Sequence, residues 1–227
     1  MAFGLVGAAA IILTVNLIGE VLGGIFNISA PPVEAAVLLS ENVSSTLIAR
    51  AQLVTAEKTI RDFQARVNVT GGIGNALGYG ATYETDVVVK IGYDFSRPEF
   101  KVEPISENRI RVTMPRAELL SCSMTPPTEV DRSMSLMADW QAAKQLGEFM
   151  LMRGAVNEVL DSSDNFDGAR ASAQQTITQI VRSLSPTAQV EFVFLETPTE
   201  RRMDNTCRLR QPLMWQYDPE RDVWMRG

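Results

Sequence analysis

The sequence predicts an α+β protein with a single N-terminal transmembrane helix, a soluble domain in which helices pack on an antiparallel sheet, and a C-terminal β-hairpin tail. Three observations lead to this fold class. Residues 2–19 carry no charge, runs within residues 53–114 alternate apolar and polar side chains, and residues 136–184 repeat apolar side chains at helical spacing. The predicted boundaries are 1–30 for the transmembrane anchor, 31–52 for a juxtamembrane helix, 53–197 for the α+β domain and 198–227 for the tail.

The apolar stretch continues past Glu20 to Phe26 and is long enough for a membrane span. A helix needs about 20 mostly apolar residues to cross a bilayer, and the span must be helical because lipid offers no partner for backbone amides. A cleaved signal peptide fits less well, because the segment lacks Lys and Arg and exceeds the usual apolar run of about 7–15 residues. We therefore expect a retained, single-pass anchor.

The anchor contains a candidate helix-packing interface. Gly19 and Gly23 form a GxxxG motif, and small residues of this kind let two membrane helices approach closely. Asn16 and Glu20 lie on one face of the same helix, where they would bond to a neighbouring subunit. Two alternatives stay open: glycine is common in membrane helices, and Glu20 would reach the lipid interface because it lies near one end of the span.

Charge and composition exclude several functions. The net charge is −6 and the isoelectric point is about 4.9, which argues against nucleic acid because that partner requires a basic surface. The chain has no histidine, so histidine-based nucleophile systems, HExxH zinc sites and histidine-ligated haem are excluded. We expect no cofactor and no metal ion.

The two cysteines of the chain, Cys122 and Cys207, are far apart in the sequence. An even number of cysteines in an exported domain favours a disulfide bond. The pair is therefore a candidate disulfide, and two buried free thiols are the alternative.

Alternating patterns and turn residues predict the strands of the domain. The predicted strands are residues 60–69, 81–95, 100–105, 109–114 and 190–195. The glycine-rich residues 71–80 match neither of the common phosphate-loop spacings, so a hairpin loop is expected there. Met114-Pro115 is expected to end the sheet run, because proline cannot donate to a strand ladder.

Helical spacing predicts a juxtamembrane helix over residues 33–50 and two further helices over residues 136–160 and 167–184. The acidic segment 161–167 suggests a calcium-binding site, but it lacks the spacing of ligands found in an EF-hand loop. A loop that caps a helix is therefore expected between the two longer helices.

The tail predicts a hairpin over residues 214–225 with a turn at residues 218–221. Trp215, Tyr217 and Trp224 lie near arginines, and Trp and Arg are enriched at protein interfaces. These three aromatic residues are candidate docking residues. The alternative is a hairpin that closes the domain's own sheet.

Several segments, taken in order, resemble a known bacterial family. The matching segments are Leu53-Val54-Thr55, Ile91-Gly92-Tyr93-Asp94-Phe95-Ser96, Ile110-Arg111-Val112-Thr113-Met114-Pro115 and the helical residues 137–184. They resemble the family known as domain of unknown function four-two-three-zero. The resemblance covers residues 53–184 and implies an N-terminally anchored protein with an α+β domain and no assigned catalytic residues. The expected location is the bacterial inner membrane, with the soluble domain in the periplasm.

We expect a non-catalytic accessory or scaffold subunit that docks onto a larger membrane complex and stabilises it. A respiratory or photosynthetic energy-transducing assembly is one such complex. The expected partners are integral membrane subunits, contacted through the transmembrane helix and the soluble domain, together with the lipid bilayer. The basis is the anchor, its polar face and the aromatic tail.

An extracytoplasmic ligand-binding or sensing domain is the alternative, and a carboxylate-dependent hydrolase is less favoured. Glu84, Asp86 and Asp94 are the candidate carboxylates for hydrolysis. They share one face if their strand is regular, but Asp94 lies too far along it to act with the other two. We expect these three carboxylates to be solvated side chains on the protein surface.

Overall fold

The computed structural model describes residues 32–70, 79–133, 140–196, 201–213, 215–218 and 223–226. These ranges contain the helices α1 (Pro32–Ala49), α2 (Trp140–Asp161) and α3 (Ser163–Leu184), and a 3-10 turn at Asn205–Cys207. The strands are β1 (Gln52–Thr70), β2 (Tyr79–Asp94), β3 (Lys101–Ser106), β4 (Arg109–Met114), β5 (Glu118–Met124), β6 (Thr128–Arg132), β7 (Gln189–Phe194), β8 (Trp215–Asp218) and β9 (Val223–Arg226). The predicted α+β class with C-terminal strands is thereby confirmed.

None of the helices in the described ranges has both the length and the apolarity that a membrane span requires. Residues 1–31 fall outside those ranges, and with them the predicted anchor and its packing residues Asn16, Gly19, Glu20 and Gly23. Residues 71–78 of the glycine-rich segment and residues 219–222 of the hairpin turn also fall outside. The anchor therefore stays a prediction.

The larger sheet is built on the long antiparallel pair of β1 and β2, in which Gln52 faces Asp94 and Val69 faces Tyr79. From residue 81 to residue 94 of β2 the odd-numbered residues are buried, whereas the even-numbered residues other than Gly92 are half-buried. This alternation has the two-residue period of a strand with one face on a core. β5 and β6 both pair with the outer edge of β2, and β9 and then β8 continue the sheet beyond β1.

The smaller sheet has the order β3-β4-β7, with α1 packed against β3. β4 pairs with β7 in parallel, and β1 pairs with β9 in parallel. The expectation of a wholly antiparallel sheet is therefore wrong. The chain passes through α2 and α3 between β4 and β7, and a long helical connection of this kind allows a parallel pairing.

Met114-Pro115 does not end the sheet run, because β5 and β6 follow it. Pro115 lies between two strands and occupies no ladder position, and Pro126-Pro127 separates β5 from β6 in the same way. Both strands pair with β2. The prolines therefore mark strand boundaries within the sheet rather than its end.

The buried side chains form two clusters. The first joins α1, both sheets and α3, and includes Val43, Leu47, Ile91, Ile110 and Ile177. The second lies between α2 and the end of the larger sheet that carries the hairpin. Its members include Val67, Tyr83, Leu146, Trp215 and Trp224. The residues assigned to a separate tail thus contribute strands to the larger sheet and side chains to a core.

Candidate functional site

The end of β2 separates two polar pockets. Successive residues of a strand point to opposite faces, and Tyr93 and Asp94 accordingly line different cavities. Tyr93 lines a cavity of about 60 Å³, here called the arginine pocket, which is defined by Tyr93, Arg116, Phe166, Arg170, Phe194, Glu196 and Arg201. Asp94 lines a cavity of about 190 Å³, here called the carboxylate pocket, which is defined by Asp94, Arg97, Glu118, Met203 and Asp204.

The three arginines of the arginine pocket come from three places in the fold. Arg116 precedes β5, Arg170 lies on α3, and Arg201 belongs to the segment after β7. The Arg170 guanidinium lies 4.1 Å from the centroid of the Phe194 ring, and the Arg201 guanidinium lies 3.3 Å from that of Phe166. Aromatic faces attract cations, so these rings hold both guanidinium groups in place.

Burial dominates the electrostatics of the arginine pocket. It raises the pKa of the Tyr93 hydroxyl to about 12, although Arg170 and Arg201 act in the opposite direction. Burial also lowers the pKa of the Arg201 guanidinium, and the like charge of Arg116 adds to that effect. The pocket therefore crowds positive charge into a place from which water is partly excluded.

The carboxylate pocket contains an ion-pair network around Arg97. Its Nη2 lies 3.1 Å from Oε2 and 3.3 Å from Oε1 of Glu118, and its Nε lies 3.2 Å from Oδ2 of Asp94. The other oxygen of Asp94, Oδ1, accepts hydrogen bonds from the backbone N–H and hydroxyl of Ser96. Every carboxylate oxygen of Asp94 and Glu118 is thus engaged by a neighbour.

Glu118 is only 6% exposed, and burial raises the pKa of its carboxyl even though Arg97 acts to lower it. Sequence reasoning missed Glu118, because it follows Pro115, where the sheet was expected to end. Residues 117–122 read Ala-Glu-Leu-Leu-Ser-Cys and do not alternate strictly, so the only sequence signal for this strand was a short run that is mostly apolar.

Residues 201–207, here called the strap, cross the start of β5 and connect the two pockets. The backbone N–H of Leu119 donates to the carbonyl of Arg202 at 3.1 Å, and that of Asp204 donates to the carbonyl of Leu119 at 2.9 Å. The backbone N–H of Cys122 donates to the hydroxyl of Thr206 at 3.0 Å. The strap thereby delivers Arg201 to the arginine pocket and Met203 and Asp204 to the carboxylate pocket.

A disulfide bond fixes the far end of the strap. The sulfur atoms of Cys122 and Cys207, the candidate pair, are joined in the structure, and their Cα atoms lie 4.9 Å apart. Both residues are buried. The bond therefore attaches the strap to β5 at the end opposite to Arg201.

The predicted docking residues differ in exposure. Trp215 and Trp224 are buried in the second core, and Trp224 packs edge-on against Phe149 with ring centroids 6.0 Å apart. Tyr217 is 45% exposed. The two tryptophans are therefore placed as expected for a hairpin that closes the domain's own sheet. Of the three aromatic residues, only Tyr217 is largely exposed at the surface.

The predicted hydrolytic carboxylates lie on the half-buried face of β2. Glu84 accepts a hydrogen bond from the side-chain amide of Gln64, and Asp86 accepts one from the backbone N–H of Asp62 at 3.0 Å. Asp94 is the only one of the three that lines a pocket described above. Within the described ranges, no cluster of three or more Cys, Asp or Glu side chains could hold a metal ion.

The fold and its pockets define a mixed α+β domain with a disulfide-fastened strap between two charged pockets. Residues 50–192 match the family model described as Protein of unknown function (DUF4230). The match spans more than half of the chain, so the protein belongs to this family, as the quoted segments predicted. Searches of curated proteins and of solved structures find no match.

Proposed function

We propose that the protein is a non-catalytic, membrane-anchored accessory subunit that docks onto a larger membrane complex and stabilises it. The observation that carries the proposal is the rigid attachment of α1, the helix that directly follows the apolar N-terminal stretch in the sequence. Val43 and Leu47 of α1 are 0% exposed and belong to the first core. A membrane anchor that precedes this helix in the sequence would keep the packed domain close to the bilayer.

The outer surface of α1 supports a docking role. Leu38 is 58% exposed and Ile48 is 51% exposed, although the same helix buries Val43 and Leu47. Apolar side chains left in water next to a membrane anchor are suited to contact with an integral membrane subunit. Respiratory and photosynthetic energy-transducing assemblies are the class of complex that we propose.

The disulfide bond supports a location outside the cytoplasm. Structural disulfides persist in oxidising compartments such as the bacterial periplasm and are rare in the cytosol. The bond between Cys122 and Cys207 joins residues 85 positions apart and is buried. We therefore propose a periplasmic domain on an inner-membrane anchor.

The carboxylate pocket offers less support for hydrolysis. A paired-acid mechanism needs two carboxyl groups on either side of a substrate bond. Asp94 and Glu118 instead share Arg97 between them, and their oxygens are already engaged by Arg97 and Ser96. This arrangement is typical of a structural ion-pair network.

Blue-native electrophoresis of mildly solubilised membranes tests the proposal. We expect wild-type protein to migrate well above its own mass of 25.0 kDa, and the double variant Gly19→Leu/Gly23→Leu to migrate as a smaller species because the helix contact is lost. Val21→Leu is the matched control, since residues two apart lie on roughly opposite sides of a helix. Migration of wild-type protein only as a free 25.0 kDa species would contradict the proposal.

A further inference from the structure

We infer that the arginine pocket binds a phosphate-type oxyanion, held between the guanidinium groups of Arg170 and Arg201. This inference goes beyond the proposed docking function and does not depend on it. It rests on the charge, size and donor geometry of the pocket.

The charge balance of the pocket favours an anion. Three guanidinium groups line the cavity, whereas its carboxylates are Asp167 and Glu196. Arg170 lies 3.7 Å from Glu196, at the outer range of an ion pair. Arg201 forms no ion pair with any residue in the described part of the chain, and its guanidinium lies against the neutral ring of Phe166. Asp167 and Glu196 act on Arg201 electrostatically without forming an ion pair with it, so a bound anion would be the first group to meet this guanidinium directly with negative charge.

The positive charge of this pocket stands out against the rest of the molecule. The whole chain carries a net charge of −6, so scattered arginines would on average be balanced by nearby carboxylates. Arg116, Arg170 and Arg201 meet in one cavity with Asp167 and Glu196, so the cavity holds one more positive than negative side chain, although the three arginines are distant in the sequence. Gathering like charges raises the free energy of the folded state, and an anion in the pocket would offset that effect.

The size of the cavity suits a small oxyanion. A buried water needs about 10–15 Å³ of this kind of space, and the cavity provides about 60 Å³. It therefore has room for a few waters or for one phosphate group with its oxygens. Guanidinium groups that arrive from three directions suit an anion with three or more oxygens, because each planar fork can engage a separate edge.

The two aromatic rings prepare the donors for binding. Phe194 lies against the Arg170 guanidinium and Phe166 lies against that of Arg201. Stacking restricts the rotation of each side chain and leaves the N–H groups at the edge of the guanidinium plane available to an anion. Less conformational entropy is then lost when the anion binds.

Titration calorimetry with inorganic phosphate tests the inference on the full chain in micelles of dodecyl maltoside, a detergent that contains no phosphate group. We expect saturable binding to wild-type protein, and a loss of about tenfold or more in affinity for Arg201→Gln and for Arg170→Gln, because each removes a charged donor. Arg201→Lys keeps the charge but not the planar fork and should give an intermediate affinity.

Arg202→Gln is the matched control. Arg202 neighbours Arg201 on the strap, but its Nη2 points to Oε1 of Glu99 at 3.4 Å, away from the arginine pocket. This variant should bind phosphate as the wild type does. Near-ultraviolet circular dichroism of each variant shows whether the fold is retained, and the Arg201→Lys result keeps the test decisive if Arg201→Gln unfolds.

Nanodiscs that contain the anionic lipid phosphatidylglycerol distinguish two sources of the phosphate group. If a lipid headgroup occupies the pocket, added phosphate should bind in dodecyl maltoside micelles but far more weakly in phosphatidylglycerol nanodiscs. If the ligand is a free phosphate compound, binding should be alike in both. The absence of phosphate binding in the micelles, or an equal loss of affinity in Arg202→Gln and Arg201→Gln, would overturn the inference.

Discussion

At Gly147 the backbone of α2 lies directly against the ring of Tyr83. A Cβ atom at this position would lie 2.4 Å from Cδ2 of Tyr83, which is closer than two carbon atoms can approach. At Gly168 of α3, by contrast, a Cβ atom would meet no other atom within 4 Å. The two glycines occupy the same kind of backbone but face opposite steric conditions.

Alanine substitutions at Gly147 and Gly168 should therefore have opposite effects on stability. Gly147→Ala should lower the free energy of unfolding by roughly 1–3 kcal/mol, because the core must shift to admit the methyl group. Gly168→Ala should raise it by about 0.5–1 kcal/mol, because alanine loses less entropy than glycine in a helix. Urea unfolding followed by tryptophan fluorescence measures both. Changes of the same sign would contradict this account of the packing between α2 and β2.

Glu118 leads to a prediction about pH. Burial raises the pKa of its carboxyl above the ordinary value of 4.5. The folded state therefore binds this proton more tightly than the unfolded state, and Glu118 makes the protein less stable as the pH rises from about 4.5 through the folded pKa. Above that interval its contribution is constant.

Glu118→Gln removes this titration. The free energy of unfolding of the wild type minus that of the variant should fall as the pH rises through the interval above 4.5. Asp204 and Glu129 have lowered pKa values and oppose this trend in either protein, but they cancel in the difference. Urea unfolding over a pH series measures the difference. A difference that stays level or rises with pH would show that burial does not raise the pKa of the Glu118 carboxyl.

At the scale of the elements, the strap depends on the Cys122–Cys207 bond. The bond closes a loop of 85 residues in the unfolded chain, and the loss of chain entropy for a loop of this length corresponds to about 4.6 kcal/mol. Cys122→Ser/Cys207→Ser should therefore lower the free energy of unfolding by about 2–5 kcal/mol. Phosphate affinity should also fall, because the strap delivers Arg201 to the arginine pocket.

Urea unfolding and phosphate titration with and without a reductant measure both effects. The serine variant is its own control, since a reductant should change the wild type and leave the variant as it was. Unchanged phosphate affinity in the variant would show that residues 201–207 keep their place on β5 through hydrogen bonds, those of the Leu119 backbone and the one from Cys122 N–H to the Thr206 hydroxyl.

An element could be predicted from the sequence when its own residues carry a clear pattern of apolar and polar side chains. β2 alternates buried and half-buried residues over its length, and α3 places Phe166, Ala173, Ile177 and Val181 on one buried face, so both were found. β5 and β6 were missed because they follow Met114-Pro115, where the sheet was expected to end, and because Pro126-Pro127 between them indicated a loop. The parallel partners of β1 and β4 were missed because strand pairing is decided by tertiary packing.

The candidate site was less predictable than the fold. Arg116, Arg170 and Arg201 are separated in the sequence by whole elements, and no spacing rule connects them. The pairing of Asp94 with Glu118 through Arg97 likewise depends on β5 lying beside β2. The cysteine pair was within reach of the sequence, because a count of two leaves a single intramolecular pairing.

At the scale of the whole molecule, α1, the two sheets and the strap form one packed body. α1 shares the first core with both sheets and α3 through Val43 and Leu47, and the hairpin strands complete the larger sheet. A docking partner would therefore meet a preformed surface. The arginine pocket would add a phosphate-type ligand to this surface without any rearrangement of the fold.

Native mass spectrometry of the protein purified in mild detergent tests the central claim most directly. The account predicts a particle in which one 25.0 kDa chain is joined in a fixed ratio to integral membrane subunits. A spectrum that contains the 25.0 kDa chain alone, under conditions in which known membrane complexes of the same cells stay intact, would contradict the account.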